Sequence, residues 1–310
     1  MEGKLNMEPN QAGITALITA YARAYHATHD SPKIFDDFLA DALFTKEEHV
    51  EFNKNLAGLA QMLDPSLAGT EPDPETALAA VVQIMNGPVT LGRSRFAEDA
   101  LEQAYHAGVE QYVILGAGFD TFAFRHPDWL ERLNVFEVDH PNTQAQKRQR
   151  IRNAGWEVPA NLHFVPVDFS KESLSDGLKT TPYDPGKATF FSWLGVTFYL
   201  GKEDVLATLR SVAGLAPKGS PIVFDYFDAA AFVPGQATQT MRLMHDIVRQ
   251  AGEPMKSSFD PLTLGEELKA VGFDLLENLG PEEIEARYFQ GRRDRYHAHR
   301  SVHFARAVVA

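Results

Sequence analysis

VILGAGFD, residues 113–120, is an apolar run that ends on Gly-Ala-Gly and an aspartate. Such a run entering a glycine turn reads as a strand whose carboxyl end bends sharply, because glycine adopts conformations and permits close approaches closed to other residues. A ligand can then lie against the main chain, and Gly116, Ala117, Gly118 and Asp120 are its first candidate contacts. The dinucleotide pattern requires a third glycine three residues after the second, where this chain has Thr121. The turn therefore favours a nucleoside ligand without a pyrophosphate.

The next apolar run, 134–138, leads into Asp139-His140-Pro141. An acidic side chain at the end of the second strand, about 20 residues beyond the glycines, can accept hydrogen bonds from ribose hydroxyls. Side chains alternate along a strand, so Glu137 and Asp139 share a face, and Asp139 is nearer the ligand end. His140 adjoins it. A third strand, 163–167, runs into Asp168 and Phe169, a carboxylate for an adenine amino group and a ring to pack on the base. Glycines also make ordinary turns, and aspartates after strands also cap helices. The three motifs in order carry the nucleoside reading.

Outward from this centre, short runs at 111–116, 134–138, 163–167, 189–193 and 221–226 are strand-sized and rich in β-branched or aromatic residues, with helical segments such as 143–154 and 202–213 between them. Alternating strands and helices predict a Rossmann-like α/β fold with helices on both faces of a mostly parallel sheet. Runs 273–279 and 302–309 lack a crossover helix of normal length between them, so an antiparallel pair is expected at one edge. Residues 14–107 read as helices. Asp73-Pro74-Glu75 starts one, the acidic segment 64–75 is expected as a surface loop, and Gly87-Pro88 as a break before a helix over 90–106. This gives a helical cap over 1–108 and a ligand-binding domain over 109–310, carrying a helical insertion at 229–262.

The 29 basic and 42 acidic residues leave a formal charge of −13, which repels a phosphate backbone and points away from nucleic acid toward small molecules. With no cysteine, disulfides, thiolate metal sites and a thiol nucleophile are excluded. No apolar run is long enough to span a bilayer and the first residues lack a signal-peptide core, so the expected compartment is the cytoplasm. The oligomeric state stays open. His297-Ala298-His299 has no matched third ligand, and no metal is expected.

GAGFDTFAFR, VFEVDHP, VDF and FFSWLGVTFYL, with residues 16–43 and the GRSRFAED segment at 92–99, resemble in their order the leucine carboxyl methyltransferase family over most of the chain. The resemblance implies a seven-stranded sheet whose last strand is antiparallel, S-adenosyl-L-methionine as cofactor, and methyl transfer to a carboxyl group of a small molecule. It also implies that Arg93, the first arginine of RSRF, binds the cofactor's methionyl carboxylate. Arg95 lies about 200° around the helix from Arg93 and cannot face the same pocket. This chain departs from the family pattern at Phe122, where many relatives carry arginine, at Leu194, where many carry glutamate, and at Ser170, where the protein-methylating members carry arginine. Ser170 weighs against a protein-tail substrate.

A carboxylate is ionised at pH 7, so transfer to it requires positioning rather than a base. Tyr199 is the expected orienting donor and Arg242, in the insertion, a second candidate. A phenol or alcohol acceptor would instead call on a base such as His140 or His245. Phe35, Phe38, Tyr226, Phe227 and Phe232 are available for an apolar pocket. The alternatives are a nicotinamide-dependent oxidoreductase, whose fold shares the glycine turn and the acidic residue after the second strand, and a non-enzymatic S-adenosyl-L-methionine-binding protein.

Overall fold

The computed structural model describes residues 13–57, 59–64, 67, 72–168, 172–233, 239–250 and 254–310. Helices α1 (Ile14–His29), α2 (Lys46–Ala57), α3 (Ala60–Leu63) and α4 (Pro74–Val81) precede a π-helical turn, Val82–Asn86, that continues into α5 (Gly87–His106). Asp73 caps α4, its carboxylate accepting from Thr76 N at 3.0 Å. Gly87-Pro88 is not a break. Pro88 occupies the first turn of α5, where a missing N–H leaves no intrahelical bond unmade, so the chain stays helical through the π turn. The expected surface loop at 64–75 starts on a buried aspartate, Asp64, which pairs with Arg295 at 2.8 Å. Residues 65–66 and 68–71 lie outside the described set.

From β1 (Gln111–Leu115) the chain alternates: α6 (Phe122–Arg125), β2 (Asn134–Asp139), α7 (Pro141–Asn153), β3 (Leu162–Pro166), α8 (Leu174–Lys179), β4 (Thr189–Trp193), α9 (Lys202–Ala213) and β5 (Pro221–Phe227). Then come α10 (Gln239–Gln250), α11 (Leu264–Lys269), β6 (Phe273–Leu279), α12 (Pro281–Ile284) and β7 (Val302–Val309). The sheet order is β3-β2-β1-β4-β5-β7-β6, with β1 to β5 parallel and β7 antiparallel to both neighbours. The antiparallel pair lies at one edge, as expected. β7 is its inner member, so the outermost strand is β6 rather than the antiparallel one.

Strands β1 and β4 are buried along their whole length because both faces are covered. Tyr112 and Ile114 pack with Leu91, Phe96 and Leu101 of α5, while Val113 and Leu115 pack with Leu178 of α8 and Val205 and Leu209 of α9. A separate core joins α1, α4 and the 40–44 segment to Phe119, so the N-terminal helices rest on the glycine turn through an aromatic side chain that the turn itself supplies. No helix among the described residues is long and apolar enough to cross a membrane.

Candidate functional site

In a parallel sheet, a crevice opens at the carboxyl ends of the strands where the order reverses, here between β1 and β4. A cavity of about 630 Å³ lies there, within the range of small-molecule sites. It is roofed by α1, the π-helical turn and the start of α5, and is walled on one side by α10 and residues 254–256. Gly116, Ala117, Gly118, Asp120, Asp139, His140, Asp168, Arg93, Leu194 and Tyr199 all line it. Phe169 and Ser170 lie outside the described residues.

The glycine turn is built for close approach. Gly116 N and Ala117 N donate to Val138 O at 2.8 and 3.1 Å, folding the turn onto the end of β2. Gly116 has φ of 70°, and a Cβ there would lie 2.5 Å from Val196 Cγ2. Gly118 N donates to Asp139 Oδ2 at 2.5 Å and His140 N to Asp139 Oδ1 at 2.6 Å. Each carboxylate oxygen accepts more than one hydrogen bond, so Asp139 retains capacity for two ribose hydroxyls while its own position is fixed. Burial raises its pKa, opposed by those two N–H groups. Asp120 lines the cavity and also accepts from Phe122 N at 2.7 Å, which starts α6.

Beneath Asp139, Glu137 is fully buried against Lys147 of α7, with Oε2 2.5 Å from Nζ. Burial, with Asp120 and Asp139 nearby, pushes the Glu137 carboxyl up to about 7 against the pull of Lys147. A carboxyl whose pKa is higher folded than unfolded stabilises the fold below the unfolded value, and that contribution is lost as pH rises through the folded value. Between pH about 4.5 and about 7 the Glu137 contribution therefore declines. Glu137→Gln should flatten this part of a melting-temperature profile whatever its overall offset; an unchanged slope would show that Glu137 does not take up the proton.

Arg93 faces the cavity and Arg95 does not: Arg95 is exposed and pairs with Asp99 at 2.6 Å. Arg93 Nη1 donates to Asp225 Oδ2 at 3.0 Å, and Asp225 Oδ1 accepts from Gly195 N at 2.6 Å. Gly195 has φ of 72°, and a Cβ there would sit 2.4 Å from Arg93 Nη2. One buried carboxylate on β5 thus fixes both the guanidinium and the turn after β4. Asp225 escaped the sequence reading because it sits inside a strand, without a turn signal. Arg23 of α1 escaped it too: it lines the cavity, pairs with Asp37 at 2.8 Å and donates to Phe119 O at 2.6 Å, tying α1 to the glycine turn. Burial alone would raise the Asp37 pKa, yet Arg23 and Arg125 hold it below the usual carboxylate value.

Phe122 is buried in the core, and Arg125 one turn later contacts Asp37, Thr121 and Glu98. Arg242, the second candidate donor, is exposed on α10 and is not among the residues that line the cavity. Of the five aromatic residues expected around the pocket only Phe227 lines it. Phe35 is core, Phe38 is 61% exposed, Tyr226 packs on the opposite sheet face, and Phe232 packs behind the wall. Phe119 and Phe198 take their place. His245 does not line the cavity, and burial lowers its pKa. His140 lines it but its Nδ1 accepts from Asn142 N at the start of α7. His297 and His299 contact different partners, Glu285 and Ser301 N, and the described residues contain no cluster of three metal-ligating side chains.

Residues 16–213 match the family model described as leucine carboxyl methyltransferase. YktD of Bacillus subtilis (strain 168), provisionally named an S-adenosyl-L-methionine-dependent methyltransferase, is 38% identical over 97% of this chain and 99% of its own length. A protein of Parafrankia sp. (strain EAN1pec) with the same provisional naming is 32% identical over 70% of this chain and 64% of its own. Among solved structures, a DUF574 family protein from Streptomyces avermitilis superposes with a TM-score of 0.52 at 18% identity, covering 81% of this chain and 97% of that one, a likeness of fold.

Proposed function

This chain belongs to the leucine carboxyl methyltransferase family, and from that premise we propose that it uses S-adenosyl-L-methionine to methylate a carboxylate on a small molecule. Membership of this family takes the place of the oxidoreductase alternative, as Thr121 in the glycine turn already suggests.

The cavity residues fit the cofactor. The bare backbone of the glycine turn accommodates the nucleoside, Asp139 takes the ribose, Asp168 the adenine amino group, and Arg93 the methionyl carboxylate. Bound there, the cofactor supplies a methyl group on a sulfonium. Helices α1 and α5 with the π-helical turn between α4 and α5 roof the crevice, the ends of the parallel strands form its floor, and α10 with residues 254–256 stands on the acceptor side.

One observation carries the choice of acceptor. The carboxylates and the histidine that line the cavity, Asp120, Asp139, Asp168 and His140, all follow β1, β2 or β3. Beyond β4 and β5 the described lining is mostly apolar, Leu194, Val196, Phe198 and Phe227 among it, and holds no carboxylate or histidine; its polar side chains are Tyr199 and Lys256, a hydroxyl and an amine that can each donate to an anion. A hydroxyl acceptor would call for a base on that side, whereas a carboxylate arrives ionised. Catalysis then consists of holding its oxygen about 3 to 3.5 Å from the methyl, in line with sulfur, with water excluded. Tyr199 is the group we assign to orient it.

The test is incubation with methyl-labelled S-adenosyl-L-methionine and a panel of carboxylic acids and phenols, followed by mild alkali. Release of the label as methanol identifies a methyl ester. A label that stays bound to a phenolic product would overturn the carboxylate assignment.

A further inference from the structure

Among the described residues the cavity lining carries three basic side chains of the Lys/Arg type, Arg23, Arg93 and Lys256. Arg23 is engaged by buried Asp37 and Arg93 by buried Asp225. Among the described residues no carboxylate pairs with Lys256. Its location is nonetheless fixed: Lys256 N donates to Phe198 O at 2.7 Å, and Ser257 Oγ donates to Thr197 O at 3.0 Å. This short segment is therefore laced to the 3-10 turn Thr197–Tyr199 that follows β4, the turn that presents Tyr199. The sheet order puts β4 and β5 on the opposite side of β1 from β2 and β3, so Lys256 belongs to the half of the cavity remote from Asp139 and Asp168. The described lining from β5, α10 and the lysine's own segment is otherwise apolar: Phe227, Met244, Val248 and Met255.

A cation in the lining of a largely apolar half-cavity, in a chain with a formal charge of −13, is a local attraction for an anion against a repelling background. An apolar body with one anionic group matches both features of this half of the cavity.

We infer that Lys256 anchors the acceptor, and that the acceptor is a carboxylic acid with an apolar carbon skeleton. This rests on the carboxylate reading above and adds to it the skeleton's character and the residue that selects it. One carboxylate oxygen is held by the Lys256 ammonium, with Tyr199 beside it, while the other attacks. The oxygen's lone pair forms the C–O bond to the methyl carbon, the C–S bond breaks with its electron pair left on sulfur, and sulfonium becomes thioether. Anion and cation are both neutralised and no proton moves. The methyl ester no longer offers Lys256 a charge, so the same contact that gathers the acid favours release of the product.

The experiment uses the full chain loaded with S-adenosylhomocysteine and a series of straight-chain monocarboxylates, hexanoate to dodecanoate, with their primary amides, binding being read by calorimetry. The wild-type protein should bind at least one acid and prefer it to its amide by roughly ten- to hundredfold, the worth of one charge-assisted hydrogen bond. Lys256→Gln should erase that preference, Lys256→Arg should keep most of it, and affinity for S-adenosylhomocysteine should stay within about twofold in both. Acid preference intact in Lys256→Gln overturns the inference and leaves the carboxylate reading standing. A loss of S-adenosylhomocysteine affinity in Lys256→Gln also overturns it, by placing the lysine on the cofactor. If no acid of the series binds the loaded wild-type protein, the inference fails in its apolar-skeleton part; methyl ester formation from the broader acid panel would then still uphold the carboxylate reading, and its absence would remove both.

Discussion

Arg93→Lys is expected to weaken binding of S-adenosylhomocysteine roughly ten- to hundredfold while leaving 5′-methylthioadenosine, which lacks the amino-acid end, within about twofold. In the proposed site one guanidinium is shared between two anions, Asp225 and the cofactor's carboxylate. Nη1 is held by Asp225 at 3.0 Å, and Nη2 lies against the Gly195 backbone at the cavity wall. A lysine ammonium can keep the Asp225 pair but cannot also present a planar second arm to a carboxylate. Alanine is the less informative replacement, because it strands Asp225, 1% exposed, without a counter-charge, at a cost of about 3 to 5 kcal/mol. Asp225→Asn should act on the same ligand difference. Equal losses on both ligands would make Arg93 a structural residue and withdraw it from the cofactor site.

Asp139→Ala should lower affinity for S-adenosylhomocysteine by on the order of 100-fold or more, since two charge-assisted hydrogen bonds to the ribose are each worth about 1.5–3 kcal/mol. The loss has a second source. Asp139 Oδ2 is the acceptor for Gly118 N, so alanine also frees the turn that the nucleoside lies against. Asp139→Asn keeps the shape and one acceptor oxygen, and should fall between wild type and alanine. Calorimetric titration decides it: unchanged affinity in Asp139→Ala would move the ribose elsewhere, and NADH binding in place of S-adenosylhomocysteine would restore the oxidoreductase reading.

Much of this site was legible because its parts sit at strand ends. A glycine turn after β1 and carboxylates after β2 and β3 are local signals, written within a few residues and interpretable from backbone conformation and strand alternation alone. Helix periodicity separates Arg93 from Arg95, and the two do face apart, Arg93 lining the cavity and Arg95 exposed; that Arg93 is the one to consider came from the family resemblance. Residues whose part depends on a distant partner were not legible. Asp225 reads as one polar residue within a strand until Arg93 and Gly195, 132 and 30 residues away, close on its two oxygens. Arg242 illustrates the converse: a helical stretch was foreseen there, but which face of it meets the crevice depends on packing against elements far off in sequence, and Met244 and Val248 line the cavity where Arg242 does not.

The sequence by itself determined the strand-helix alternation, the antiparallel pair, the nucleoside motifs and the family, because hydrophobic period and turn chemistry are local. Only the tertiary structure decided that β7 inserts between β5 and β6, that the Gly87-Pro88 step stays helical, and that α1 holds the glycine turn through Arg23 and Phe119. It also decided which cations of the cavity are already paired. These are long-range matters, set by which buried charges must find partners and which faces must be covered once the whole chain has closed on itself.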